Sequence, residues 1–546
     1  MGRQITTKKL AKNMTLSLVA QLISLAASFV FGMIVPRYID EYQYSYWQMY
    51  LLYVGYVGVL HFGLLDGLVL RYSQYDYDEL DKARLRSQFQ LLLGFTSALA
   101  FLTCLASSFF LEGVTLWIVV LVAIGIITKN IFFYTSYTFQ ITNRITQYAI
   151  LVILQKAVYA ITVVILLLCK VNDFYWYCIA DLMGDVVAII IGACLNRGLY
   201  FGKTLALKEC FKESWLNISA GIMLMIANFS FGFLIGGAKM VIQWRWDELV
   251  FGKVAFSFSI SNLFLTFVTA IGVVLFPSLK RMEEDQLPNL YVKIRDTISP
   301  LLFYVMLLYF PGCWILEMWL PAYSESLVYI GILLPIIIFS TKVSLLTNNY
   351  LKAYRREKMM LLINVISVVI GFVLFLLGAY VFSSLDFVLY STVFVIMLRS
   401  IASEVAVMKY VKKNFTLDYI VEFVMTVAFV AIVQLLSLWW ACLAYFGVLV
   451  VYSILYRKRI ALVFKQVGGV LSKKKTQNSS ATSESAIAPT LKKDSEEEGN
   501  LLASDNEERE KENNESKENF CRCWIAILMD SDLWCKKKVI ISARGL

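Results

Sequence analysis

Residues 148–169 read YAILVILQKAVYAITVVILLLC and carry one charged side chain, Lys156. A bilayer core about 30 Å thick is crossed by roughly 20 predominantly apolar residues in a helix, so this stretch predicts a transmembrane helix. Similar stretches recur along the chain and predict an all-α polytopic membrane protein with about fourteen spans. The spans are 14–36, 46–70, 88–111, 114–139, 148–169, 174–196, 215–238, 254–277, 298–320, 327–349, 360–382, 386–408, 417–437 and 438–456. Trp439 and Trp440 fit either a tight turn or the middle of one long final span.

The composition agrees with a membrane protein. Of the 546 residues, 59% are apolar and 16% are charged. Soluble globular proteins average about 45–50% apolar and about 25% charged residues, so a soluble enzyme, a disordered chain and a disulfide scaffold are excluded. No loop between the predicted spans is long enough for a nucleotide-binding or glycosyl-transfer domain. We therefore expect neither an ATP-driven pump nor an enzyme.

Lysine and arginine are distributed unequally between alternate loops. The set of loops that includes the N-terminus contains 24 of these residues, whereas the opposite set contains 5. Basic loops collect on the cytoplasmic side of a membrane, so the sequence predicts that both termini are cytoplasmic. The basic side would face anionic lipid. Nucleic-acid binding is not expected, because the chain has no basic soluble domain to perform it.

The order of the spans predicts a repeat. Six helices return the chain to its starting side, so helices 1–6 and 7–12 fit two parallel lobes. The longest cytoplasmic loop inside each half follows its second helix, at 71–87 and 278–297. The predicted divisions are an N-lobe at 1–200, a C-lobe at 201–412, two further helices at 413–460 and a cytoplasmic tail at 461–546. Within the tail, the Ser-, Asn-, Glu- and Lys-rich composition of 472–519 predicts disorder.

Motif-like segments do not support a cofactor or a metal site. Gly198–Thr204 is one residue short of a phosphate-binding loop, and no strand precedes it. Asp76–Asp78 fits a solvated turn, and the three cysteines within 521–535 lack a fourth zinc ligand. His61 is the single histidine in the chain, which excludes a multi-histidine metal site.

Nine ionisable residues stand out inside the predicted spans. A charge at mid-bilayer costs ~2.5–3.5 kcal/mol on insertion scales, so these side chains should face the protein interior or an aqueous cavity. They are His61, Asp66, Lys129, Lys156, Asp181, Asp185, Lys342, Arg399 and Glu404.

Some of these residues have structural interpretations of comparable weight. Lys129 and Lys342 fit snorkelling or structural pairing as well as ligand binding. His61 fits a hydrogen-bonded interior histidine. Asp66 fits a local backbone cap or an ion pair with Arg71.

For the others a cavity or ion-coupling role is favoured. Lys156 and Arg399 lie well inside their spans. Asp181 and Asp185 are four residues apart and therefore share one face of a helix. Each predicted lobe thus carries buried charges.

Five segments resemble a known transporter family. They are Phe31–Tyr38 (FGMIVPRY), Phe62–Arg71 (FGLLDGLVLR), Val274–Leu279 (VLFPSL), Pro311–Leu316 (PGCWIL) and Lys352–Lys358 (KAYRREK). With their order and the fourteen spans, the chain resembles the polysaccharide-exporter and O-antigen-flippase (Wzx-type) family. This family belongs to the superfamily of multidrug exporters, oligosaccharide-lipid flippases and polysaccharide exporters.

The resemblance implies two six-helix lobes around a central cavity, followed by two extra helices, and alternating access. Family members move an undecaprenyl-diphosphate-linked oligosaccharide from the cytoplasmic to the outer leaflet of the bacterial plasma membrane. This step supplies O-antigen, capsule or exopolysaccharide synthesis. The expected partners are the lipid-linked oligosaccharide, membrane lipid and glycan polymerase or ligase machinery.

The resemblance also suggests roles for particular side chains. Candidates to bind the diphosphate or sugar are Lys156, Arg399, Lys129, Lys342, Arg37 and Arg71. Candidates to bind a coupling proton or sodium ion are Asp66, His61, Asp181, Asp185 and Glu404. No other cofactor is expected.

Two other functions remain open. The first is a cation-coupled multidrug antiporter of the same superfamily, although its acidic lumen fits poorly with equal numbers of buried basic and acidic residues. The second is a non-transporting membrane assembly protein, against which the buried charges argue. Apolar replacements of Lys156, Arg399 and Asp181 would separate a transporter from a scaffold.

Overall fold

Helix is the only regular secondary structure in the part of the chain that the computed structural model describes. That part comprises residues 25–279 except 74, 76 and 143, residues 287–457, and residues 23 and 460, with backbone only at 231, 264 and 266–279. A bilayer offers no water to the backbone, and a helix satisfies its N–H and C=O groups within one segment. The predicted all-α class is confirmed.

The described helices follow the predicted spans in order, and three of them are bent pairs. Their bounds are α1 Leu25–Tyr38, α2 Glu41–His61 with Leu64–Tyr72, α3 Lys82–Phe110, α4 Gly113–Ile141, α5 Ile145–Leu168, α6 Phe174–Leu195, α7 Leu207–Ser230 with Gly232–Arg245, α8 Glu248–Leu279, α9 Leu287–Trp319, α10 Pro321–Leu333 with Ile336–Ala353, α11 Glu357–Val381, α12 Leu385–Val411, α13 Thr416–Leu435 and α14 Leu438–Leu455.

The helices make the chain a multi-pass membrane protein. Among the described residues, nine helices are long and apolar enough to cross a bilayer. The number rises to twelve if each bent pair is counted as one span. α1 is shorter, and most of the residues that precede it in the predicted first span lie outside the described part. Between α13 and α14 the chain turns at 436–437, so the final apolar stretch is two helices.

Two helices extend furthest beyond their predicted ends. α7 was predicted at 215–238, but it starts at Leu207 and continues to Arg245. α9 was predicted to start at 298, but it starts at Leu287. As a result, Lys239 and Arg295 lie inside helices, whereas the predicted boundaries had assigned both to loops.

The predicted lobe boundaries at 200 and 412 stay predictions. The predicted disordered tail at 461–546 lies outside the described residues.

α2 is broken in its middle, and its two segments meet at 52°. At the break Phe62 and Gly63 both have left-handed backbone conformations, with φ of 49° and 81°. A helix cannot continue through such residues, and glycine adopts this conformation without a steric penalty. Asp66 lies in the first turn of the second segment, where the helix dipole stabilises a carboxylate.

α10 is broken at Pro335, and its segments meet at 51°. Proline ends a helix because it lacks an N–H donor and its ring clashes with the preceding turn. The second segment then widens into a π-helical turn over Lys342–Thr347. Such turns are frequent at functional sites, and this one begins at a buried lysine.

The second segment of α2 packs directly on the first segment of α7. A Cβ on Gly67 would lie 1.9 Å from the backbone oxygen of Asn217, and a Cβ on Gly221 would lie 2.1 Å from the backbone oxygen of Gly63. The two backbones can approach this closely only because these positions carry no side chain. Glycine thus joins the first six helices to the later ones.

Candidate functional site

The first candidate site is an ion cluster between α2, α4, α5 and α6, which we call the N-cluster. Lys129 of α4 places its Nζ 2.8 Å from Asp181 Oδ1 and 2.8 Å from Asp185 Oδ2. Tyr50 donates its hydroxyl to Asp181 Oδ2 at 2.9 Å, and Gln155 donates its amide to Asp185 Oδ1 at 3.1 Å. The two carboxylates face the same lysine because residues four apart share a helix face.

The second candidate site is an ion cluster between α9, α10, α12 and α13, which we call the C-cluster. Arg295 of α9 contacts Glu404 at 3.2 Å, Asp418 at 2.6 Å and Glu422 at 3.4 Å. Lys342 of α10 places its Nζ 3.0 Å from Glu404 and 2.6 Å from Glu422. All five residues are buried. A chain of shared contacts therefore joins four helices.

Both clusters contain one more carboxylate than cation. With every group ionised, the N-cluster has one lysine against two aspartates, and the C-cluster has two cations against three acids. An uncompensated buried charge is expensive in a low-dielectric interior. Each cluster can therefore lower its energy by taking up one proton or one monovalent cation.

The structure explains most of the predicted charges by pairing. Lys129 meets Asp181 and Asp185, and Lys342 meets Glu404, so these five predicted residues fall into the two clusters. Both lysines form ion pairs in this conformation, as their structural interpretation predicts. Their predicted role in binding a substrate stays a prediction.

His61 and Asp66 lie at the break of α2 and belong to neither ion cluster. His61 Nδ1 accepts the backbone N–H of Gly63 at 3.1 Å, and its Nε2 lies 3.9 Å from Asp66 Oδ2. Asn228 of α7 donates to Asp66 Oδ1 at 3.5 Å. Asp66 thus contacts the second half of the chain, and its predicted pairing with Arg71 does not form.

Arg71 joins α2 to α7. Its guanidinium lies 2.7 Å from the carboxylate of Glu213 and donates to the side-chain oxygen of Asn217. Tyr72 also donates its hydroxyl to Glu213, at 2.6 Å. These contacts continue the glycine-mediated packing of the same two helices. Arg71 therefore secures a contact between helices in this conformation.

The remaining predicted cations lie elsewhere. Arg399 is buried in α12, where its Nε donates to Asn364 Oδ1 of α11 at 2.8 Å. Lys156 is half-buried in α5. Arg37 is exposed at the end of α1, and its guanidinium lies 5.6 Å from the centre of the Trp319 ring. The contacts described above join no two of the six predicted substrate cations.

Three of the five C-cluster residues escaped the sequence prediction. Arg295 was assigned to a loop, although Leu287 and Tyr291 precede it at intervals of four and predict one helix face. Glu422 lies inside the predicted span 417–437 and could have been singled out as a charge at membrane depth. Asp418 sits at the start of that span and gave no distinct signal.

No protein-family model matches the sequence, and no curated protein matches it. Solved structures share its fold. The lipid II flippase MurJ in an inward closed conformation matches with a TM-score of 0.59 at 12% identity, over 82% of this chain and 100% of the flippase. An inward-facing MATE family multidrug resistance transporter matches with a TM-score of 0.53 at 12% identity, over 72% of this chain and 96% of the transporter. The chain has the fold of transporters of the MOP superfamily.

Proposed function

We propose that this protein is a flippase that moves a polyprenyl-diphosphate-linked oligosaccharide between membrane leaflets by alternating access. The observation that carries the proposal is the pair of buried ion clusters, each with one surplus carboxylate. A static membrane scaffold gains nothing from two such clusters, because each charge costs free energy at membrane depth. A transporter can use them to bind a coupling ion in one conformation and release it in another.

The fold comparison supports a lipid-linked substrate. The likeness to the lipid II flippase extends over 82% of this chain, compared with 72% for the multidrug transporter. α13 contributes Asp418 and Glu422 to the C-cluster, so the C-terminal helices are integral to the bundle. The segments that resemble the O-antigen-flippase family favour an undecaprenyl-diphosphate oligosaccharide for surface polysaccharide synthesis.

The cellular setting belongs to the same proposal. The membrane is the bacterial plasma membrane, and both termini are cytoplasmic, as the distribution of lysine and arginine predicts. Transport runs from the cytoplasmic to the outer leaflet, where glycan polymerase or ligase machinery would take over the product. The coupling ion is a proton or a sodium ion, held at the surplus carboxylates.

A multidrug antiporter is the second candidate, because surplus carboxylates also suit an exporter that exchanges cations for a cationic drug. The two functions differ in the charge of their substrate. A diphosphate-linked lipid needs cations where it binds, whereas a cationic drug needs carboxylates or aromatic rings.

The test uses the purified full chain in lipid vesicles. One set of vesicles contains undecaprenyl-diphosphate oligosaccharide with a fluorescent sugar, whose quenching from outside reports the leaflet. A second set takes up a cationic dye. Protein-dependent movement of the labelled lipid, without dye transport, supports the flippase. Dye transport without movement of the lipid favours the antiporter, and neither activity favours the assembly protein.

A variant tests the role of the N-cluster. Asp185→Asn removes the surplus carboxylate while the pair of Lys129 with Asp181 remains. We expect movement of the lipid to lose its dependence on a proton or sodium gradient. The matched control is Lys413→Met, which removes an exposed lysine that lies 3.8 Å from the half-buried Asp296 and should leave transport unchanged. A gradient dependence equal to that of the unmodified protein in Asp185→Asn would exclude coupling at this cluster.

A further inference from the structure

Lys239 is a cation within α7 that the ion clusters do not include. It is half-buried, lies six residues before the end of α7 at Arg245, and places its Nζ 5.8 Å from the centre of the Phe258 ring on α8. Among the described residues no carboxylate pairs with it, whereas Lys129 and Lys342 each contact two. A cation at such a position is costly without a counter-charge. Lys239 is therefore suited to bind an anion that comes from outside the chain.

The neighbours of Lys239 locate it between the two halves of the chain. Gly236 and Gln243 are three residues before and four residues after it, so all three share one face of α7. A Cβ on Gly236 would lie 1.4 Å from the hydroxyl of Tyr56, and Tyr53 donates its hydroxyl to Gln243 Oε1. Both tyrosines belong to α2. This face of α7 therefore meets α2 close to the contact with α8.

The polar groups on this face of α7 are suited to bind a ligand that accepts hydrogen bonds. Because Gln243 Oε1 accepts from Tyr53, the N–H groups of the same amide remain as donors on the helix face that Gln243 shares with Lys239. The ring of Tyr56, which meets α7 at Gly236, stacks on Phe233 at 4.9 Å and adds apolar surface to this contact between α2 and α7. Phosphate oxygens accept hydrogen bonds and bind most strongly to charged donors.

We infer that Lys239 and Gln243 form an anion site between α2, α7 and α8 that binds the phosphate or diphosphate group of a lipid-linked substrate. The inference rests on the proposed flippase function for the identity of that substrate. An anion at this site contacts helices from both halves of the chain at once. It also leaves the carboxylates of the N-cluster and the C-cluster free for a coupling ion, and a cationic drug would be repelled here.

The binding test measures thermal unfolding of the purified full chain in detergent against the concentration of farnesyl diphosphate. A ligand that binds the folded state raises the unfolding midpoint, and the rise grows with the logarithm of the ligand concentration relative to the dissociation constant. We expect Lys239→Met to weaken the apparent affinity at least tenfold, and Lys239→Arg to preserve it. Lys413→Met is the control for removal of an exposed lysine and should bind as the unmodified protein does.

Further probes identify the source of the anion. Inorganic diphosphate should raise the midpoint at higher concentration and lose its effect in Lys239→Met, because the anionic group is shared. Phosphatidylglycerol should have no effect that depends on Lys239. If it acts as farnesyl diphosphate does, the site binds a membrane lipid headgroup and the assignment to substrate is overturned.

A second variant distinguishes a loss of binding from a loss of folding. Gln243→Glu keeps Lys239 but supplies it with a carboxylate four residues away, so it should abolish diphosphate binding in a protein at least as stable as the original. Unchanged binding in both Lys239→Met and Gln243→Glu overturns the site. Binding that depends on Lys239 without any movement of labelled lipid would refute the flippase function and leave the anion site standing.

Discussion

At the scale of single residues, the C-cluster depends on each of its charges. A buried ion pair repays the cost of desolvation only when every member has partners. Arg295 contacts three carboxylates and Lys342 contacts two, and two of the acids are shared between the cations. Removal of one cation therefore leaves several carboxylates underpaired at once.

We predict that Lys342→Met lowers the free energy of unfolding by about 3–5 kcal/mol, as expected when one partner of a buried pair is removed. The double variant Lys342→Met/Glu422→Gln should recover much of the loss, because it also removes a negative charge. Thermal unfolding in detergent measures both, with Lys413→Met as the exposed control. A double variant no more stable than Lys342→Met would show that the two side chains are not coupled.

The sequence could identify charged residues at membrane depth but not their partners. Asp181 and Asp185 were predicted to share a helix face, which follows from local helix geometry. Their pairing with Lys129, which is 52 residues from Asp181 in the chain, depends on how α4 packs against α6. Arg295 was missed because the start of its helix was placed too late.

At the scale of elements, the contact between α2 and α7 is built from glycine. The backbones approach so closely at Gly67 and Gly221 that a single methyl group would overlap backbone atoms. Arg71 and Glu213 then tie the same helices together with an ion pair of 2.7 Å. The alternating access that we propose requires contacts between the halves to open and close, and the contact between α2 and α7 is a candidate for such a change.

We predict that Gly67→Ala destabilises the α2–α7 contact by ~1–3 kcal/mol, the usual cost of overpacking. The matched control is Gly94→Ala in α3, where an added Cβ meets no atom within 4 Å. The control should be neutral or slightly stabilising, since alanine favours helix over glycine. Thermal unfolding measures the midpoints of the two variants. Equal midpoints would mean that α2 and α7 are not in close contact.

Helix positions were more predictable than helix shapes. Apolar runs located most spans to within several residues, because bilayer thickness sets the length of a spanning helix. The break of α10 coincides with Pro335, a visible signal that the prediction did not use. The break of α2 at Phe62 and Gly63 has no comparable signal, since the apolar pattern continues through it.

At the scale of the whole molecule, α13 belongs to the same helix bundle as the C-cluster. The sequence predicted α13 and α14 as an addition to two six-helix lobes. In the structure, Asp418 and Glu422 of α13 complete the C-cluster, and without them Arg295 and Lys342 would face Glu404 alone. Such a cluster would carry a surplus positive charge in the protein interior.

Two truncations test this organisation. A chain that ends at Phe464 removes residues 465–546 and should express and move lipid as the full chain does. A chain that ends at Lys413 also removes α13 and α14 and should fail to accumulate, because the C-cluster loses two carboxylates. Expression and transport in vesicles measure the outcome. Full activity of the shorter chain would exclude a structural role for α13.

The sequence by itself determined that this is a multi-pass helical membrane protein, where most spans lie and that several charges are buried. These properties follow from apolar length, a local property that acts between a segment and the bilayer. Only the tertiary structure decided that Lys129 joins Asp181 and Asp185, that Arg295 and α13 complete the C-cluster, and that glycine brings α2 against α7. These contacts join residues far apart in the chain, and helix packing alone brings them together.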